Sequence, residues 1–147
     1  MISCTEFIPA YSEGFNFLEE KGGRSKVDEF WDYLSDLYLK GSLRKLVMEH
    51  GIAGCYTYWE QALNEEAADF TMTLDEENGE FRIEMHKCPS KGRLLELGHI
   101  KPYEAYCEHC PALYSRVLEP LGYEYIMDLT RTGSASCTLS VRKKRED

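Results

Sequence analysis

Residues 69–87, DFTMTLDEENGEFRIEMHK, decide the fold. Phe70, Met72 and Leu74 alternate with polar residues, Glu76-Glu77-Asn78-Gly79 interrupts the run, and Phe81, Ile83 and Met85 resume it. Successive side chains of a strand point to opposite faces, so this pattern predicts a β-hairpin with one apolar face. A second hairpin closes the chain: Tyr123, Tyr125, Met127 and Leu129 lead into Thr132-Gly133-Ser134, and Cys137, Leu139 and Val141 return. Between the two lie a helical stretch from Ser90 to Leu97, a linker holding Pro102, and a helix from about Pro111 to Leu118 that Pro120 and Gly122 end. The order ββαββ predicts one antiparallel sheet of about four strands with helices on its apolar side.

Upstream the periodicity changes from two to between three and four. Val27, Phe30, Trp31, Leu34, Leu37 and Tyr38 mark one face of a helix that Ser25 and Asp28 are expected to cap and Gly41 to stop. Phe7 to Glu20, Ser42 to His50 and Cys55 to Ala67 read as further helices, with Gly22-Gly23 as a break. The expected class is α+β in a single domain, residues 1–67 helical and residues 68–147 carrying the ββαββ part.

At 147 residues the chain is long enough for one core, and its 43% hydrophobic content excludes a wholly disordered class. A formal net charge of -9 repels phosphate backbones and anionic lipid, so neither nucleic acid nor a membrane is an expected partner. No apolar run reaches the ~18 residues of a membrane span, and the N-terminus does not read as a secretion signal. A cytoplasmic location and reduced cysteines follow as expectations. The expected partner is a small-molecule ligand, with homo-oligomerisation left open.

Six cysteines invite a chemical reading. Tyr106-Cys107-Glu108-His109-Cys110-Pro111 places two thiols at the start of a helix, where the N-terminal partial charge lowers a thiol pKa and is expected to make Cys107 the more reactive of the pair. The same pair fits three chemistries: a zinc site completed by Cys88 and Cys137, or by His86 and His109; a redox pair in which Cys107 attacks and Cys110 resolves; or plain packing. Packing is the reading for Cys4 and Cys55, and the phase that Cys137 shares with Leu139 and Val141 also points inward. His86 lies out of phase with Phe81, Ile83 and Met85, facing solvent or a site. Tyr106 and Tyr114 are candidate pocket-lining residues, apolar bodies with a hydroxyl donor.

The segment from Phe81-Arg82-Ile83 through His86-Lys87-Cys88-Pro89, the Cys107-to-Cys110 region, and Arg131-Thr132-Gly133 leading to Cys137 resemble the L-2-amino-thiazoline-4-carboxylic acid hydrolase family. The resemblance spans about residues 68–143 and is fainter to the 4-vinyl reductase type of small-molecule-binding domain. Relatives in the first family carry acidic residues before the last cysteine and Asp-Phe after it, where this chain has Ser134-Ala135-Ser136-Cys137-Thr138-Leu139. The resemblance implies a hydrolase acting on carbon–nitrogen bonds, opening a cyclic C=N substrate with Cys107, Cys110 and Cys137 as catalytic residues and Tyr106, Tyr114 and His86 against the substrate. The alternative is a binding or sensing domain in which Cys88, Cys107, Cys110 and Cys137 hold zinc.

Overall fold

A computed structural model describes residues 4–66 and 68–145, with side chains from Glu6 onward. The first half is α1 (Cys4–Gly22), α2 (Arg24–Leu34), α3 (Leu43–His50) and α4 (Ile52–Glu65). Then come β1 (Asp69–Asp75), β2 (Glu80–Lys87), α5 (Pro89–Leu97), α6 (His109–Leu118), β3 (Tyr123–Asp128) and β4 (Cys137–Lys143). The fold is α+β, with helices first and a single four-stranded antiparallel sheet among the described residues. No described helix is long and apolar enough to cross a membrane.

The strand order is β1-β2-β4-β3, so the last strand enters between β2 and β3. Register aligns the apolar positions in rows: Leu74–Phe81–Val141–Tyr125, Met72–Ile83–Leu139–Met127, and Phe70–Met85–Cys137. One sheet face is therefore wholly apolar and is covered by α4 and α6. The other face carries Arg82, Glu84, His86, Thr138 and Glu124, which explains why the strands alternate so cleanly.

A second core lies away from the sheet, where Phe15 of α1, Val27 and Trp31 of α2 and Leu94 of α5 enclose Tyr103 and Tyr106. Two buried serines tie it to the C-terminal half. Ser12 Oγ accepts from Tyr103 N at 2.9 Å, and Ser35 Oγ donates to the Leu113 carbonyl at 2.7 Å. Both bonds fix the segment that carries the paired cysteines.

Two helix expectations are corrected. Ser25 does not cap α2: the N-cap is Gly23, Ser25 lies inside the first turn, and Asp28 instead pairs with Arg24 at 2.8 Å. The inward face also does not continue through Leu37 and Tyr38, which are 60% and 71% exposed. Residues Ser35–Leu39 form a π-helical turn, and this wider winding rotates the face so that Val27, Trp31, Ser35 and Leu39 point inward in steps of four.

Candidate functional site

The crossover of β4 between β2 and β3 brings the end of β2 beside the start of β4. Met85 pairs with Cys137, and Cys88 N donates to the Ala135 carbonyl at 2.7 Å. Ala135 reaches that position with φ at 57°, a left-handed conformation that a non-glycine residue holds only where its surroundings impose it. Gly133, the glycine of the turn, is not the residue that takes it.

Beside this junction, between the sheet and α4, α5 and α6, lies a cavity of about 250 Å³. Cys88, Cys107, Cys110 and Cys137 all line it. Its aromatic wall is Tyr58, Trp59, Tyr114 and Tyr125, with Trp59 and Tyr114 ring centroids 4.9 Å apart. Lys91 and Glu66 are its charged residues. Tyr106 and Tyr114 line it too.

His86 does not line the cavity. It is on the open sheet face, exposed, with Nε2 2.8 Å from Thr71 Oγ1, because its phase in β2 is opposite to that of Met85. Cys55 is fully buried in the main core, and Cys4 lies outside the residues whose side chains are described.

The thiols are not activated by the helix start. Burial pushes Cys107 up to about 11, against the opposing pull of the Lys91 charge, and pushes Cys110 and Cys137 up to about 12. Cys88 is raised for the same reason, although backbone N–H groups of α5 reduce the shift. Desolvation of an anion inside an aromatic wall outweighs the favourable end of a helix. The expected low-pKa Cys107 is thus corrected: these groups rest as thiols.

One pair of groups is arranged for proton transfer. His109 Nδ1 contacts the Tyr106 carbonyl, and its Nε2 lies 3.5 Å from Cys110 Sγ. A carbonyl only accepts, so Nδ1 carries the proton and Nε2 offers its lone pair to the thiol. Burial holds the His109 pKa below the ordinary imidazole value, so the ring is neutral. At the cavity mouth Glu66 is exposed, yet packing raises its carboxyl above the usual range, with Glu65 adding to the effect.

Among the described residues no three of His, Cys, Asp and Glu are grouped to hold a metal ion. Glu66, Lys91 and Tyr58 escaped the sequence reading, since an acidic residue at a helix end and a lysine in a first turn are ordinary surface residues until the chain is folded. No family model, curated protein or solved structure matches this chain.

Proposed function

We propose that this chain binds a small cyclic organic acid with a C=N bond, a ring of thiazoline-carboxylate type, in the thiol-lined cavity. The make-up of the cavity carries the reading: about 250 Å³ walled by aromatic rings and sulfur, with one cation, Lys91, at the start of α5. Drug-sized ligands occupy roughly 300–1,000 Å³, so this volume suits a single substituted ring and not a nucleotide or a peptide. Rings of Trp59 and Tyr114 offer aromatic surface, and the ammonium of Lys91 offers a charged partner to a carboxylate. A hydrolase of cyclic carbon–nitrogen bonds is the enzymatic form of this reading, with Cys107, Cys110 and Cys137 inside the same walls.

Calorimetric titration with 2-aminothiazoline-4-carboxylate and with 2-aminothiazoline, which lacks the acid group, tests it. A charge-assisted contact contributes about 1.5–3 kcal/mol, so the acid should bind at least ~10-fold more tightly, and Lys91→Met should erase the preference. Absence of measurable heat with either compound, from a folded chain, refutes the reading.

A further inference from the structure

We propose that Cys110 is a nucleophile that adds covalently to the electrophilic carbon of a C=N or C≡N ligand in this cavity, with His109 Nε2 as the base that takes and returns its proton. The assignment deepens the binding reading above and rests on it for the ligand class.

Three geometric observations carry it. The His109 imidazole and the Cys110 thiol are within reach at 3.5 Å, and both line the cavity that Cys107, Cys88 and Cys137 share. Among the described residues none of the other three thiols has a hydrogen bond to an imidazole or a carboxylate, and Cys88 Sγ instead accepts from Lys91 N at 3.5 Å. Finally, the imidazole is oriented from behind. The Tyr106 carbonyl holds Nδ1, and the rings of Tyr11, Phe15 and Tyr106 enclose the imidazole at centroid distances of 5.7, 6.0 and 4.8 Å. A nucleophile, a base and a group that orients the base are the elements of an activated thiol, here with a backbone carbonyl in the orienting role.

The step balances without a co-reactant. The thiol proton moves to His109 Nε2 as the sulfur–carbon bond forms, the π pair of the C=N or C≡N bond moves to nitrogen, and that nitrogen takes the proton from Nε2. The product is a thioaminal from C=N or a thioimidate from C≡N, and the reverse sequence releases the ligand unchanged. Because Cys110 rests as a thiol, addition depends on a neighbour that accepts its proton, and His109 is the one in contact.

The test uses a heteroaromatic nitrile, 2-cyanopyrimidine, followed by intact mass and peptide mapping of the full chain. The adduct is expected on Cys110 in preference to Cys88, Cys107 and Cys137. His109→Ala should slow its formation at least tenfold, and added imidazole should restore part of the loss, which a merely structural role would not do. Adduct on Cys107 first, or an unchanged rate in His109→Ala, overturns the proposal. If His109→Ala does not fold, the adduct map of the unsubstituted chain still decides whether Cys110 is the nucleophile. Calorimetry with the thiazoline acid on the unsubstituted chain separates the two readings: binding without a nitrile adduct on Cys110 refutes the nucleophile alone, whereas absence of binding refutes the ligand class.

Discussion

Gly54 makes the sharpest test of how the cavity wall is held. It lies in α4, buried, where a Cβ would come within 2.3 Å of the Leu46 carbonyl oxygen and 2.7 Å of Val47 N. Both obstacles are backbone of α3, so a side chain cannot swing aside to make room. Gly54→Ala gains about 1 kcal/mol of helix propensity, but the two helices must part to accept the methyl, and overpacking of this kind costs about 1–3 kcal/mol, or more against backbone. The expected net loss is about 2 kcal/mol, which for a chain of this length lowers the melting temperature by about 4–8 °C. Gly14 in α1 is the internal control, because a Cβ there meets nothing within 4 Å. Gly14→Ala should therefore raise stability by about 0.5–1 kcal/mol. Urea unfolding of both variants measures the difference. Because α4 also carries Tyr58, Trp59, Ala62 and Leu63 of the cavity, Gly54→Ala should weaken binding of the thiazoline acid while Gly14→Ala leaves it unchanged. Equal or greater stability of Gly54→Ala would show that the α3–α4 crossing is looser than described, and with it the wall of the site.

At alkaline pH the buried thiols should set a limit on stability. Cys55, Cys110 and Cys137 are raised from about 9 to about 12, so their contribution is complete below about pH 9 and is lost as pH rises towards 12; urea midpoints should fall over that window, and less so in Cys55→Ala. At the acid end, Asp36 is held down to about 2 by Arg116 and then Lys40, so its contribution is present above its ordinary value of 3.8 and lost as pH falls towards 2. Asp36→Asn should flatten that acid limb at low salt and much less at high salt, since the pair is exposed; identical limbs for the two proteins would count against the pair.

Local pattern settled the elements that make the sheet. Alternation in residues 69–87 and 123–141 set both hairpins and the phase of every inward residue, including the outward turn of His86, because strand period is a property of the backbone alone. It also placed Cys110 in the first turn of α6, while Cys107 lies in the 3-10 turn Tyr106–Glu108 just before it. The class α+β follows from those runs and the helical periodicity before them. Three things belonged to the tertiary structure. The π-helical turn at Ser35–Leu39 rotated a face that regular spacing had aimed through Leu37 and Tyr38, and the gain was a buried Ser35 bonded to Leu113. The entry of β4 between β2 and β3 brought Cys88 and Cys137 to the same junction and brought Glu66 and Lys91, residues far apart in the chain, to one cavity. The protonation of the thiols was likewise decided by their surroundings: spacing predicts a helix start that lowers a pKa, but only packing reveals how much water the anion would lose, and here that loss is the larger effect.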